Sequence, residues 1–210
     1  AAHEAAGRDA YGLAERVVTH LKQCDAEHAM RAFIGWWPDA QTRAWLAEQA
    51  RQAQALYGGR MMQSDHFHLT LAFLDSSPVS ALQSLATRMA GWTVPDIKLD
   101  LTVRDVFEKP RVVWAGPDDS QKQALDALQQ WHEAIWSSLT GLGWTQPPRP
   151  FRPHVSLLRH AQIVAGRAHG HRLSPQAFVG DGAGLIVSVP CEQRSQYHLA
   201  AMMGSERTGA

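Results

Sequence analysis

Two histidines in the chain are each followed, two residues later, by a hydroxyl side chain: His68 by Thr70, and His154 by Ser156. Both pairs lie in short apolar runs that are typical of β-strands. Since residues i and i+2 of a strand point to the same face and stand about 6–7 Å apart, each strand would present one imidazole beside one hydroxyl. Two such strands placed opposite each other would surround one small anion with two imidazoles and two hydroxyls.

These groups suit the hydrolysis of a phosphodiester without a metal ion. A base must deprotonate the attacking water, and an acid must protonate the departing oxygen. Histidine can do either near neutral pH because its ordinary pKa is about 6.5. An arginine would neutralise charge on the phosphate, and Arg159 follows His154 by five residues. A strictly extended strand would turn Arg159 away from His154, so this role requires a bend in the strand.

Apolar residues alternate with the two histidines and hydroxyls. Alternation in a strand places every second side chain on the core face. The residues predicted to face the core are Phe67, Leu69, Leu71, Phe73, Val155 and Leu157. On the opposite face this leaves His68, Thr70 and Ala72 in the first strand, and His154 and Ser156 in the second.

Other chemistry-bearing residues allow weaker interpretations. The closely spaced histidine pairs at 66/68 and 169/171 could bind zinc, but no suitably spaced Cys, His or acidic partners accompany them. We therefore expect no metal ion. The eight tryptophans mainly indicate packing. Phe33 or Trp37, on a predicted strand before the first helix, could nevertheless stack on a nucleobase.

The elements needed to position these residues can be outlined from apolar periodicity and capping signals. The predicted strands are 31–37, 67–74, 99–103, 112–115, 154–158, 185–189 and 196–203. Helices are predicted from Asp39 to about Tyr57, from Ser77 or Pro78 to about Met89, and from a cap at Asp119 or Ser120 to Gly141. Hairpin-like spacing favours an α+β fold with antiparallel sheets.

Composition narrows the function classes. The chain has 20 basic and 20 acidic residues, so its total charge does not indicate nucleic-acid binding. Between Glu133 and Asp181, however, five arginines and four histidines occur without an acidic residue. This block would favour an anionic ligand, although on charge alone a solvated basic loop is the more common explanation.

Hydrophobic runs, cysteine number and composition along the chain indicate where the protein acts in the cell and where its main domain begins and ends. No apolar run approaches the roughly 20 residues that span a bilayer, and no secretory signal is expected at the N-terminus. Two distant cysteines favour a reducing cytoplasm. Residues 1–29 are expected to form a short amphipathic helix outside the main domain or packed on its edge, residues 30–203 a single two-lobed domain, and residues 204–210 a tail.

The two motifs resemble those of a known family. The segments HLTL at 68–71 and HVSL at 154–157 are similar to the paired H-x-T/S-x motifs of the 2H phosphoesterase superfamily. The segments at 30–37, 66–75, 111–116 and 149–159 resemble its RNA 2′,3′-cyclic phosphodiesterase branch, historically called 2′-5′ RNA ligase. The resemblance extends over about residues 30–203.

This resemblance implies a fold of two pseudo-symmetric lobes around a central cleft that is lined by both motifs. It implies that His68 is the acid that protonates the 3′-oxygen and that His154 is the base that activates water, which yields a 2′-phosphate. Thr70, Ser156 and Arg159 would hold the phosphate oxygens. Ser156 stands where threonine is also common, and it keeps the hydroxyl.

The implied substrate is RNA or an oligonucleotide with a 2′,3′-cyclic phosphate end, and a cofactor is not expected. The protein is expected to act as a cytoplasmic monomer. Three alternatives remain open from the sequence: the reverse reaction that makes a 2′-5′ linkage, action on small cyclic nucleotides, and non-catalytic binding of RNA ends through the basic block.

Overall fold

The computed structural model describes residues 28–164, 166, 168–191 and 194–205. Its strands are β1 (Ala29–Pro38), β2 (Arg60–Met61), β3 (Leu69–Pro78), β4 (Thr93–Val94), β5 (Leu99–Phe107), β6 (Val112–Gly116), β7 (Val155–Arg159), β8 (His171–Phe178), β9 (Gly180–Cys191), β10 (Arg194–Met202) and β11 (Gly204–Ser205). Its helices are α1 (Ala40–Tyr57), α2 (Val79–Met89) and α3 (Lys122–Thr140), with a 3-10 turn at Ser64–His66.

One large antiparallel sheet runs through the molecule in the order β10-β9-β1-β3-β7-β6-β5-β8, and β2 pairs with β7 beside this path. Strands β4 and β11 form a separate parallel pair. We call β10-β9-β1-β3 the first half of the sheet and β7-β6-β5-β8 the second half. Each half has four strands, and the strands that carry the two motifs lie at the centre. The predicted α+β fold with two antiparallel lobes is confirmed, and the lobes share one sheet.

The helices cover the sheet on the side away from the two histidines. Helix α1 contacts β7 and β8 of the second half and also β1 of the first half. Helix α2 contacts β3 and β10, and α3 contacts β3, all in the first half. The α3 face toward the core consists of Leu128, Trp131, His132, Ile135, Trp136 and Leu139. This spacing at three, four and seven residues explains why the segment forms an amphipathic helix.

Helix α1 has the ends that the sequence predicts. The Asp39 carboxylate accepts a hydrogen bond from the Thr42 backbone N–H at 2.8 Å, which satisfies one of the free donors of the first turn. At the other end, Gly58 has a φ of 57° and its N–H donates to the Gln54 carbonyl. Glycine adopts this left-handed conformation at little cost.

The predicted start of α3 is wrong by one or two residues. The residue before the helix is Gln121, not Asp119 or Ser120. The carboxylate of Asp118 accepts from the Ser120 backbone N–H at 2.9 Å, so this segment forms a turn before the helix begins. The predicted end at Gly141 is confirmed.

Strict alternation fails in β3. Leu69 and Leu71 are buried as predicted, but Phe73 is 44% exposed and Ala72 is buried. The ladder between β1 and β3 contains two register shifts, and such irregularities exchange the faces to which later side chains point. The prediction that Phe73 faces the core is therefore wrong.

A similar irregularity changes β5. Leu99 and Leu101 are buried, whereas Val103 is half-buried and Arg104 is buried. The ladder between β5 and β8 shifts register between Leu101 and Val103. Strand β8 was not predicted, because it is a mostly exposed edge strand without an alternating apolar pattern.

The ends of the chain are only partly described. The helix expected within residues 1–29 lies outside the described residues, except that Ala29 already belongs to β1. At the other end Gly204–Ser205 forms β11, and the rest of the expected tail lies outside as well. Within the described part of the chain, every helix is too short or too polar to span a membrane.

Candidate active site

A cleft opens where β3 and β7 meet at the centre of the sheet. The residues that line it are Phe33, Met62, His66, His68, Thr70, Phe73, His154, Ser156, Arg159 and Tyr197. The two histidines, the two hydroxyls and the arginine proposed from the sequence are therefore in one place. A larger depression between the ends of α2 and α3 is lined by residues such as Arg88 and Trp92, and it contains no histidine or carboxylate.

His68 is held in one tautomer. Its Nδ1 lies 2.7 Å from the backbone oxygen of His66, and a carbonyl oxygen can only accept, so Nδ1 carries the proton. Its Nε2 lies 3.0 Å from the Thr70 hydroxyl. In the neutral ring, Nε2 accepts a hydrogen bond from that hydroxyl.

His154 repeats this arrangement in the second half of the sheet. Its Nδ1 lies 2.7 Å from the backbone oxygen of Arg152, again two residues earlier. Nε2 of neutral His154 is therefore unprotonated and able to take a proton. The two histidines thus have matching backbone hydrogen bonds, and each immediately precedes one of the two neighbouring strands at the centre of the sheet.

Burial lowers the pKa of both imidazoles. The pKa of His68 falls from its ordinary value of 6.5 to about 4, chiefly because burial penalises the charged ring. The hydrogen bond to the His66 carbonyl opposes this shift, while the charges of His154 and Arg159 add to it. Burial likewise lowers the pKa of His154. Both rings are therefore mainly neutral near pH 7.

The bend that Arg159 requires is present in β7. In the ladder between β6 and β7, Trp114 pairs with Ser156 and Val113 pairs with Leu158, so one residue of β7 is extra. Leu157 and Leu158 are consecutive and both buried. This bulge returns Arg159 to the cleft face. Its Nε atom is buried without a hydrogen-bond partner among the described residues, which suits an arginine that awaits an anionic ligand.

The two proposed base-stacking residues lie in different places. The Phe33 ring stacks on the His68 imidazole, with ring centroids 4.5 Å apart and an interplanar angle of 23°. At 4% exposed, Phe33 has little surface left for a ligand. Trp37 is half-buried, pairs with Gly182 and is not among the residues that line the cleft.

Sequence reasoning missed several residues that line the cleft. Phe73 follows His68 by five residues, as Arg159 follows His154, and this matching offset was the signal that could have revealed it. Tyr197 reaches the cleft from β10 and stacks on the His66 ring at a centroid distance of 4.1 Å. Nothing in the spacing of Tyr197 or Met62 connects them with the motifs.

The predicted basic block is dispersed in the fold. Arg159 lies in the cleft, Arg149 and Arg152 are exposed in the segment before β7, and Arg172 pairs with Asp118 at 3.2 Å on the surface. Arg167 lies outside the described residues. Among the residues that the structure describes, no group of three His, Cys, Asp or Glu side chains is placed to hold a metal ion.

Known proteins show what this arrangement resembles. The family model of the 2′-5′ RNA ligase superfamily matches residues 37–168, which include both motifs. The curated RNA 2′,3′-cyclic phosphodiesterase of Escherichia coli (strain K12) is 35% identical over 105 residues, which are 49% of this chain and 56% of that protein. The protein of the same name from Geobacillus stearothermophilus is 24% identical over 131 residues, which are 56% of this chain and 40% of that protein. The chain thus matches about half the length of these curated relatives.

Solved structures show the same fold. Escherichia coli LigT complexed with 3′-AMP matches with a TM-score of 0.70 and 24% identity, over 85% of this chain and 99% of that chain. A Thermus thermophilus protein matches with a TM-score of 0.64 and 20% identity, over 85% of this chain and 100% of that chain. The family resemblance expected from the two motifs is confirmed, and the chain belongs to the 2′-5′ RNA ligase superfamily of 2H phosphoesterases.

Proposed function

We propose that the protein hydrolyses the 2′,3′-cyclic phosphate ends of RNA or oligonucleotides to 2′-phosphates, without a metal ion or other cofactor. The observation that carries this proposal is the placement of His68 and His154 in one cleft, each with Nδ1 bonded to a backbone carbonyl two residues earlier. The names of the curated relatives support the substrate class.

His154 acts as the base in this proposal. Its unprotonated Nε2 takes a proton from the water that attacks phosphorus. The hydrogen bond from Nδ1 to the Arg152 carbonyl fixes the ring and stabilises the imidazolium that forms. The structure gives Nε2 no hydrogen-bond partner among the described residues, so it is available to water.

His68 acts as the acid and gives a proton from Nε2 to the departing 3′-oxygen. Because its pKa is about 4 in the free protein, His68 must gain its proton together with the anionic substrate, whose charge raises the pKa again. Protonation makes Nε2 a donor, which frees the Thr70 hydroxyl to donate to a phosphate oxygen.

Ser156 and Arg159 complete the phosphate site. The Ser156 hydroxyl donates to a non-bridging oxygen from the second half of the sheet, opposite Thr70. The guanidinium of Arg159 neutralises charge that develops on those oxygens. Phe73 and Tyr197 extend the cleft beside His68 and provide partly exposed rings for the ribose and base of the terminal nucleotide. All these groups come from one chain, so a monomer is sufficient, and we propose a cytoplasmic location from the sparse cysteines.

Phosphorus NMR of adenosine 2′,3′-cyclic phosphate in the presence of EDTA tests the proposal. The wild-type protein is expected to form adenosine 2′-phosphate alone. His68→Ala and His154→Ala are each expected to slow the reaction about 10²–10⁴-fold, the usual contribution of a general acid or base. His171→Ala is the matched control, since His171 is exposed on β8 outside the cleft. A wild-type rate in either cleft variant would refute the assignment of that histidine, and complete loss of activity with EDTA would refute the metal-free mechanism.

A further inference from the structure

The short strand β2 brings a second arginine next to the phosphate site. Arg60 of β2 pairs directly with Arg159 of β7, and directly paired residues of neighbouring strands point to the same face. Met62, two residues after Arg60, lines the cleft together with Arg159, which places Arg60 on the cleft face as well. Arg60 is exposed and is not among the lining residues. It therefore stands at the rim of the cleft, immediately outside Arg159.

The backbone around β2 fixes the approach of the two arginines. Gly59 has a φ of 78°, and a Cβ atom there would lie 2.8 Å from the Arg159 backbone oxygen. The Gly59 carbonyl accepts a hydrogen bond from the Gln54 side chain of α1 at 3.1 Å. After β2, the Met62 N–H donates to the Leu157 carbonyl at 2.9 Å. The strand is thus held at both ends, and a larger residue at position 59 would keep β2 away from β7.

The charges of this arginine pair are not balanced by protein groups. Two like charges directly opposite each other on neighbouring strands destabilise a sheet. Within the described part of the chain, neither guanidinium forms an ion pair with a carboxylate. The Arg159 Nε atom is buried without a hydrogen-bond partner there. Anions bound on this face would relieve the repulsion. Since Arg159 serves the reacting phosphate in the proposed function, Arg60 is available for a second anion.

An RNA strand supplies a second anion at the right distance. The phosphodiester on the 5′ side of the terminal nucleotide is the neighbour of the reacting phosphate, and successive phosphates of one strand rise by about 3.4 Å along a helix. The Cβ atoms of directly opposed strand residues are about 5 Å apart. Because arginine side chains are long, the guanidinium groups of Arg60 and Arg159 can contact two neighbouring phosphates of one strand.

We propose that Arg60 binds the phosphodiester on the 5′ side of the terminal nucleotide, and that the RNA strand leaves the cleft over β2. This inference rests on the proposed function and narrows its substrate. An oligonucleotide end is preferred to a mononucleotide because it places one more phosphate against the protein. Arg60 takes no part in the proton transfers. The other source of the same anion is the reacting phosphate itself, which Arg60 would then share with Arg159.

A ratio of two rates distinguishes these two sources. It is kcat/KM for ApA 2′,3′-cyclic phosphate divided by kcat/KM for adenosine 2′,3′-cyclic phosphate, at low salt, where phosphate contacts contribute most. Arg60→Ala is expected to lower this ratio about 5- to 20-fold, because one charge-assisted contact at an exposed site is lost. Arg60→Lys is expected to recover part of it, since lysine binds phosphate as a point charge. An unchanged ratio in Arg60→Ala, whether or not both rates fall, would overturn the inference.

A neutral linkage tests whether Arg60 recognises the charge of the phosphodiester. A methylphosphonate in place of the internal phosphodiester of ApA 2′,3′-cyclic phosphate removes that charge and keeps both bases. With this substrate the wild-type ratio is expected to fall to that of Arg60→Ala, and Arg60→Ala is expected to lower it no further. Arg88→Ala is the matched control and should leave the ratio unchanged, because Arg88 is exposed on α2, on the helix-covered side of the sheet. An equal effect of Arg60→Ala on the charged and neutral substrates would overturn the inference.

Failure of the proposed function has a different signature, namely that the wild-type protein leaves both cyclic phosphates intact. Binding would then decide the inference, through the Kd of ApA 2′-phosphate relative to that of adenosine 2′-phosphate in isothermal titration calorimetry. Weaker relative binding of the dinucleotide in Arg60→Ala, but not in Arg88→Ala, would support the phosphodiester site without hydrolysis. Equal relative binding in the wild-type protein and Arg60→Ala would overturn it.

Discussion

The two histidines share one backbone hydrogen-bond pattern but differ at Nε2. His68 Nε2 lies 3.0 Å from the Thr70 hydroxyl, whereas His154 Nε2 has no partner among the described residues. The Phe33 ring also stacks on His68. Burial, together with the charges of His154, Arg159 and His66, lowers the pKa of His68 to about 4. These differences favour His154 as the group that meets free water, and in the proposed mechanism they make His68 depend on the substrate for its proton.

This difference predicts the pH dependence of kcat/KM, which reports the free protein. The base must be neutral, so activity is lost as pH falls through the pKa of His154. The acid must be protonated, so activity is lost as pH rises through the pKa of His68. Both values lie below 6.5, and kcat/KM is therefore expected to be highest below pH 6.5 and to fall tenfold per pH unit above it.

Bound phosphate raises the pKa of His68, so the alkaline limb of kcat is expected at higher pH than that of kcat/KM. Stopped-flow or NMR rates between about pH 4 and 9, a range that brackets the ordinary histidine pKa of about 6.5, would measure the pH profiles of kcat and kcat/KM. A kcat/KM that stays level from pH 6.5 to 9 would contradict the assignment of His68 as the acid.

At the same scale, the sequence predicted which histidines and hydroxyls come together in the cleft better than it predicted the side chains around them. His68, Thr70, His154 and Ser156 could be paired because the i, i+2 rule depends only on the local strand. Phe33 could be placed near the site from the sequence. Its contact with His68, however, depends on the absence of a side chain at Gly35, which lies against both rings. Apolar periodicity along one strand does not reveal such a contact.

In β3 and β7 the alternation of buried and exposed residues breaks just after the motif. This irregularity is the main feature of the strands that the sequence did not predict. A bulge depends on the register with a neighbouring strand, so it is invisible to the pattern of one strand alone. In β3 it brings Phe73 to the surface, and in β7 it brings Arg159 into the cleft. The two strands therefore present different side chains at the same offset, one apolar and one charged.

The neighbouring strand β1 provides a test of how closely His68 is positioned. A Cβ atom at Gly35 would lie 3.2 Å from Phe33 Cε2 and 3.3 Å from His68 Cδ2. Gly35→Ala is therefore expected to displace the imidazole by a few tenths of an ångström and to lower kcat/KM about 10-fold or more. Gly91→Ala is the control, because its nearest neighbour would be an ordinary 3.7 Å away. Equal rates for both variants would show that His68 tolerates this displacement.

Helix α1 provides a stability test with a control inside the chain. Asp39→Ala removes the carboxylate that caps the helix and is expected to lower the free energy of unfolding by about 1 kcal/mol. Asp119→Ala is expected to change it by less than about 0.5 kcal/mol, because this exposed residue does not cap α3. Urea unfolding followed by tryptophan fluorescence would measure both. A larger loss in Asp119→Ala than in Asp39→Ala would contradict the assignment of the caps.

In the molecule as a whole, the cleft lies where the two halves of the sheet meet. The ladder at this junction is the shortest among the described ladders between neighbouring strands of the main path. The described ladder between β3 and β7 consists of the pair Leu69–Val155. The groups that face the cleft from either side include His68, His154 and Arg159, and the charges of His154 and Arg159 disfavour the positive form of His68. An anion in the cleft is therefore expected to stabilise the folded protein by linking the two halves.

Thermal unfolding in inorganic phosphate measures this linkage. At ten times its Kd, phosphate is expected to raise the Tm of the wild-type protein by about 3–6 °C. Arg159→Ala should lose most of this increase, whereas Arg172→Ala, whose partner is Asp118 on the surface, should keep it. Phosphate also stabilises proteins by exclusion from their surfaces, so an equal increase in all three proteins would indicate that general effect alone.

The single pair between β3 and β7 has a mechanical consequence. His68 and His154 each precede one member of that pair by a single residue, so the two imidazoles stand next to the point about which the halves would pivot. Rotation about a pivot moves distant points far and near points little. Such a rotation would therefore widen the mouth of the cleft, which is far from the pivot, while the distance between His68 and His154 changed little. If the protein acts as proposed, this layout would let substrate ends of different width meet the same two histidines.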